Sequence, residues 1–186
     1  MTRRSLLALL LSPLAARAAR ASAFEWTVRL REPAAPAGRL LVVGGLGGAD
    51  RWNPAIELPH GLGWRLERCG LAARVLLFLD EPDAPAVRDA IARQARDAAV
   101  ALRPQLVLRI DRDRSVEQPG RSGAGFALHA TDAATGRAVW DAALRFVPRG
   151  GVQSGLPDPA DQLAAAIVER LASEQLVRPC AARPDR

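Results

Sequence analysis

The sequence of 186 residues contains no lysine, so all 26 of its basic residues are arginine, and it contains no tyrosine. Without lysine, this chain cannot supply the amine of a Schiff base, the lysine of a phosphate-binding loop or a Ser–Lys dyad. The Gly-x-Ser-x-Gly motif of many serine hydrolases is also absent. These absences exclude several enzyme classes, and we expect a protein that is not an enzyme.

Histidine and cysteine are scarce, with two of each. His60 and His129 lie far apart in the sequence, and Cys69 and Cys180 show no CxxC spacing, so the sequence predicts neither a metal site nor a cofactor. In an oxidising compartment Cys69 and Cys180 can form a disulfide. The sequence leaves open whether they pair or remain two separate thiols, because it does not give the distance between them.

The chain also lacks an apolar run of the roughly 20 residues needed to cross a bilayer. The run at residues 6–16 is shorter, follows a positively charged start and precedes the small residues 21–23. This pattern is typical of an export signal and predicts cleavage before Phe24. Arg3 and Arg4 resemble the twin-arginine motif, which leaves both the general and the twin-arginine export routes open.

The predicted mature protein is soluble and periplasmic. No cysteine precedes Phe24, so a lipid anchor is not expected. The formal net charge of +6 falls close to neutral once the four arginines of the signal are removed, which argues against a nucleic-acid partner. We expect three segments: a signal peptide at 1–23, one domain at 24–177 and a loose tail at 178–186.

Hydrophobic periodicity predicts the element order β-β-α-β-α-β-β-β-α. The predicted helices cover 61–69, 83–102 (with a buried stripe that includes Ala90 and Ile91) and a segment that begins after Asp158. The last three strands, with a turn at 132–136, form an antiparallel meander. The predicted class is α/β (α+β), with a single mixed β-sheet and helices packed mainly on one face.

One face of the meander is predicted to be polar. Alternation along the strands sets a group of polar side chains opposite the apolar side, namely Arg109, Asp111, His129, Thr131, Asp141 and Arg145. This face can bind a partner, or it can be a solvated surface with cross-strand ion pairs. Trp52, in an irregular segment, is a further candidate for an exposed contact.

A glycine-rich loop follows the second predicted strand and contains Gly44, Gly45, Gly47 and Gly48. Phosphate-binding loops occupy such a position, but Asp50 stands where a dinucleotide fingerprint needs its third glycine. The loop is therefore either a binding site or a flexible turn in which glycine supplies a positive φ.

The stretch 126–140 reads Phe-Ala-Leu-His-Ala-Thr-Asp-Ala-Ala-Thr-Gly-Arg-Ala-Val-Trp. It resembles small bacterial envelope proteins of the TolB amino-terminal-domain-like, FlgO and LpoB types, and the layout of 39–177 is similar to theirs. The resemblance implies a non-enzymatic accessory role at the cell envelope. Many members of these groups are lipoproteins, whereas this chain lacks the lipid-bearing cysteine.

Two functions follow from these observations. The first is an exported, non-catalytic accessory or assembly protein that binds an envelope protein or complex. The alternative is a small periplasmic ligand-binding protein or hydrolase that uses the 44–48 loop together with His60. The alternative requires His60 to lie in a closed pocket beside a carboxylate such as Asp50 or Glu57.

Overall fold

The computed structural model describes residues 23–46, 57–78, 85–116, 123–147 and 158–180. These ranges contain six strands, three α-helices and one 3₁₀ turn, in the predicted order. The strands are β1 (Ala23–Arg31), β2 (Arg39–Gly45), β3 (Ala72–Phe78), β4 (Leu106–Arg112), β5 (Ala124–Asp132) and β6 (Ala138–Val147). The helices are α1 (Glu57–Arg68), α2 (Pro85–Leu102) and α3 (Pro159–Ser173), and the 3₁₀ turn is Arg114–Val116.

The strands form one mixed sheet in the order β1-β6-β5-β4-β2-β3. β2 pairs in parallel with β3 and β4, whereas β4, β5, β6 and β1 form an antiparallel series. The predicted fold class is therefore confirmed. Helix α1 begins at Glu57 rather than at the predicted Gly61, and the predicted cap Asp83 lies outside the described residues.

Helices α1 and α3 cover one face of the sheet and enclose the core. Helix α1 contributes leucine side chains and helix α3 contributes leucine and isoleucine side chains at helical spacing, and these pack against the apolar positions of the strands. Trp140 is fully buried there, and Trp26 lies beside it with 6.4 Å between the ring centroids. Both tryptophans therefore fill the core, as their inward positions in the strands predict.

Helix α2 lies over β2 and β3 on the opposite face. The chain passes from β2 to β3 and then returns across β2 to β4, and right-handed crossovers in opposite directions put α1 and α2 on opposite faces. The predicted buried stripe of α2 is wrong in part: Ala90 is exposed, and Ile91 is only half-buried. Because α2 covers two strands, the face formed by β4, β5, β6 and β1 carries no helix among the described residues.

The segment after α3 is attached to the domain at two places. Val177 forms a parallel bridge with Ala37, and Cys180 forms a disulfide with Cys69, just after α1. The two Cα atoms of the disulfide are 4.2 Å apart. The sequence left open whether Cys69 and Cys180 pair, and in the structure they do.

Within the described ranges, no helix is both long and apolar enough to cross a membrane.

Candidate functional site

The strand register arranges the predicted polar residues in rows across the sheet. Arg109, His129 and Asp141 face one another on β4, β5 and β6. In the next row, Asp111 is followed by the small residues Ala127 and Ala143. On the other side of these alanines, Arg145 lies between Gly125 and Glu25. The alanines thus form a strip of short side chains between polar ones, which makes the surface shallow rather than deeply concave.

Ion pairs connect many of these side chains. Arg109 lies 2.5 Å from Asp111, His129 Nδ1 lies 3.3 Å from Asp141 Oδ2, and Arg145 lies 2.9 Å from Glu25. The His129 contact is ionic only when the imidazole is protonated. Half-exposed pairs of this kind contribute little to stability, about 0 to 1 kcal/mol each. The face therefore has the cross-strand pairs of a solvated surface, and its binding role stays a prediction.

A cleft adjoins this face at the carboxyl ends of β2 and β3. Its volume is about 390 Å³, and α2 covers one side of it. The interior is mainly apolar and the charged groups are few; the lining consists of Val43, Gly44, Gly45, Phe78, Arg88, Ile91, Ala92, Ala95, Arg109 and Asp111. The cleft thus brings together two sets of residues that the sequence suggested separately, the start of the glycine loop and the polar sheet face.

Asp111 connects the two sets. Its Oδ1 accepts a hydrogen bond from the Gly45 N–H at 3.1 Å, while its Oδ2 contacts Arg109. In a phosphate-binding loop the Gly45 N–H would donate to the phosphate, but here it already donates to the Asp111 carboxylate. This arrangement disfavours phosphate at Gly45, because a phosphate would be repelled by Asp111.

Gly44 is required by close packing against β4. Its φ is +151°, and a Cβ added at this position would lie 1.8 Å from the carbonyl oxygen of Ile110. The glycine therefore lets the end of β2 approach the backbone of β4 and shapes the floor of the cleft. The remaining predicted loop residues, Gly47 and Gly48, and the candidate contact Trp52 lie outside the described residues.

His60 does not belong to this cleft. It is exposed on α1 and lines a separate cavity of about 430 Å³ with Glu57, Gly61, Asp158 and Asp161. The Asp158 carboxylate raises the pKa of Glu57, with smaller contributions from burial and from a side-chain hydrogen bond to Asp158. The expected joint pocket of His60 with Gly44 and Gly45 is therefore wrong for the described part of the loop. The reason is that α1 begins four residues early and carries His60 on its surface.

The described residues contain no group of three or more His, Cys, Asp or Glu side chains that could hold a metal ion. Sequence reasoning also missed Arg88 and Phe78 as lining residues of the cleft. A topological rule could have found them, because ligand crevices in open sheets lie at the carboxyl ends of parallel strands where the strand order reverses. That reversal occurs at β2, between β3 and β4.

No protein-family model and no curated protein matches the chain. Among solved structures it is similar to two PelC dodecamers from Paraburkholderia phytofirmans. The first has 20% identity and a TM-score of 0.47, and covers 84% of this chain and 99% of that one. The second has 18% identity and a TM-score of 0.45, and covers 85% and 99%.

A third similar structure is the lipoprotein GNA1162 from Neisseria meningitidis, at 18% identity with a TM-score of 0.38, covering 73% of this chain and 99% of that one. None of these three is described as a TolB-like, FlgO-type or LpoB-type protein, so that finer resemblance stays a prediction. Likenesses at this level of identity and TM-score carry no function to this chain.

Proposed function

We propose that this chain is an exported, non-catalytic accessory protein of the bacterial cell envelope. It acts by binding another protein through the polar sheet face and the adjoining cleft. The predicted signal at 1–23 supports a periplasmic location. The disulfide between Cys69 and Cys180 is in keeping with an oxidising compartment.

The observation that carries the proposal is the position of the cleft. A mainly apolar cavity of about 390 Å³ opens beside a broad, half-exposed polar surface. The charged residues that line the cavity are Arg88 and the Arg109–Asp111 pair. Protein interfaces combine a buried apolar anchor with a polar rim in this way. A partner would insert one apolar side chain into the cleft and form polar contacts along the face of β4, β5, β6 and β1.

The cleft also supports a second function, the binding of a small ligand. Gly44 and Gly45 line it, as the ligand-binding alternative expected. A hydrolase is not supported, because it required His60 in a closed pocket with the glycine loop, whereas His60 is exposed and lines another cavity. Protein binding is favoured over ligand binding because the polar surface extends well beyond the cleft, across three further strands.

Site-specific photocrosslinking in intact cells tests the proposal. A photoreactive amino acid is placed at Thr27, on the sheet face, or at Ala92, at the cleft, and the control position is the exposed Glu169 on α3. We expect the same envelope protein to be crosslinked from both Thr27 and Ala92 and not from Glu169. A charge reversal in the cleft, Arg88→Glu, should reduce the adduct from Ala92.

Equal adducts from Glu169 and the two test positions would overturn the proposed interface. Recovery of an uncrosslinked monomer from every position would overturn the protein-binding function. Small-molecule binding at the cleft would then be measured by protection of the amides of Gly44 and Gly45 from hydrogen exchange.

A further inference from the structure

Strand β3 lies at one edge of the described sheet. β3 pairs with β2, and none of the described residues pairs with its other side. The Ala72 N–H and the Phe78 carbonyl bond toward the β2 side, to Gly38 and Leu46. Because successive residues of a strand direct their backbone groups to opposite sides, Ala73, Val75 and Leu77 direct theirs outward. The edge thus presents three consecutive sites for an added strand.

A groove runs along each side of this edge. One cavity of about 440 Å³ lies between β3 and α2, and another of about 290 Å³ lies between β3 and α1. Both are lined by Ala73 and Arg74. A strand added to β3 would therefore project alternate side chains into the two grooves, because its side chains alternate between the faces of the sheet.

The two grooves differ in chemistry. On the α1 side, Trp64 is 47% exposed and stands beside Gly63 and the half-buried Val75. On the α2 side, Arg74 and Asp97 supply one charge of each sign, and neither forms an ion pair with a described residue. The α1 side also carries His60 and Glu67, so that its lining is mixed. The rest of the α2 side is mainly apolar, with Leu76, Ala98 and Leu102 between the two charges.

We propose that the free edge of β3 binds an extended segment of another protein by strand addition. The segment carries apolar residues at alternate positions, which face Leu76 and Leu102 on the α2 side. Between them it carries amphipathic residues, which face Trp64 and Glu67 on the α1 side. Main-chain hydrogen bonds to Ala73, Val75 and Leu77 supply the attachment. This edge is separate from the cleft and the polar sheet face.

The helices decide against a second copy of this chain as the occupant. Helices α1 and α2 both pack on β3, one on each face of the sheet. Paired strands lie about 5 Å apart, whereas packed helices need about 8 to 10 Å between their axes. Two copies joined at β3 would therefore bring their helices too close together, while a single extended segment fits between them.

The test begins with a photoreactive amino acid in place of Trp64, in intact cells. The crosslinked segment is identified by mass spectrometry and made as a synthetic peptide, and its affinity is measured for the wild-type chain and two variants. Val75→Pro removes the outward N–H at the centre of the edge, whereas Val75→Thr keeps it. We expect Val75→Thr to bind normally and Val75→Pro to bind roughly tenfold more weakly.

Hydrogen exchange on the unmodified chain gives a readout that does not depend on how well Val75→Pro folds. The peptide should protect the amides of Ala73, Val75 and Leu77 from exchange. Unchanged exchange at these amides, equal binding by a folded Val75→Pro variant, or the absence of an adduct from position 64 would each overturn the proposal. The adducts from Thr27 and Ala92 report on the sheet face and the cleft separately.

Discussion

Gly44 is the residue on which the shape of the cleft depends most directly. The variant Gly44→Ala should lose about 2 to 4 kcal/mol of unfolding free energy, because its Cβ would clash with the Ile110 carbonyl, which forces the backbone to move. Gly45→Ala is the matched control, since a Cβ there meets no atom within 4 Å. Denaturant unfolding measures both, and equal stability of the two variants would contradict the requirement for glycine at 44.

Asp132 controls the turn between β5 and β6. The Thr135 hydroxyl and the Thr135 and Ala134 amides donate to its Oδ1 and lower the pKa of the carboxyl group. Because the pKa of Asp132 is lowered in the folded state, these hydrogen bonds stabilise the fold at pH values above the ordinary titration range of aspartate. Their contribution is lost as the pH falls through the lowered pKa. Thr135→Val should raise the pKa of Asp132, and Thr135→Ser should leave it low.

An NMR titration of the Asp132 carboxyl group measures this effect directly. The serine variant is the control for the change in side-chain shape, because it keeps the hydroxyl donor. An unchanged pKa in Thr135→Val would mean that the backbone amides alone hold the carboxylate.

At the level of single residues, the sequence predicted which side chains share a face. Alternation along β4, β5 and β6 was sufficient to group Arg109, His129 and Asp141, because the period of a strand is two. It could not predict the approach of Gly44 to Ile110. That contact depends on the register between β2 and β4, which are 60 or more residues apart in the chain and pair only in the folded sheet.

Among the elements, helices α1 and α3 begin next to each other and bring two carboxylates together. Asp158 caps α3 by accepting from the Ala160 N–H at 2.7 Å, and its charge raises the pKa of Glu57 at the start of α1. Because the pKa of Glu57 is raised in the folded state, the fold is relatively more stable at low pH, where Glu57 is protonated and the repulsion is absent. This advantage is lost as the pH rises through the raised pKa. The cap and the repulsion can be separated by mutation.

Asp158→Asn should keep the cap and remove the repulsion, so that the pKa of Glu57 returns toward its ordinary value. Asp158→Ala should remove both and cost about 1 kcal/mol through the lost cap. Thermal unfolding from about pH 4 to pH 7 distinguishes these effects, since this range spans the titration of glutamate. If the asparagine variant loses stability with rising pH as the wild type does, the charge of Asp158 is not the cause.

The order of the elements was predictable because each carries its own period and its own stop signals. The start of α1 was not, because the segment 57–60 contains Pro59 and precedes two glycines, which are poor helix formers. Pro59 is tolerated in the first turn, where its missing N–H has no partner in any case. This local detail moved His60 from a predicted loop onto an exposed helix surface.

For the whole molecule, the cleft is a consequence of topology rather than of a motif. It forms because the strand order reverses at β2, with β3 on one side and β4 on the other, which places α2 on one face beside the carboxyl ends of two parallel strands. No short stretch of sequence contains this information. The placement of the helices also explains why no described helix covers the polar sheet face. The crossover helices α1 and α2 lie over the parallel strands, and α3 packs beside α1.

The disulfide between Cys69 and Cys180 closes a loop with a sequence separation of 111 residues, which includes most of the sheet and both later helices. The chain-entropy model assigns such a loop about 4 to 5 kcal/mol of stabilisation. Reduction should therefore lower the midpoint of urea unfolding strongly. The double variant Cys69→Ala with Cys180→Ala is the control, and its midpoint should be low and indifferent to reductant. A wild-type midpoint that does not change with reductant would mean that the bond is absent or that the terminal segment adds no constraint to the unfolded chain.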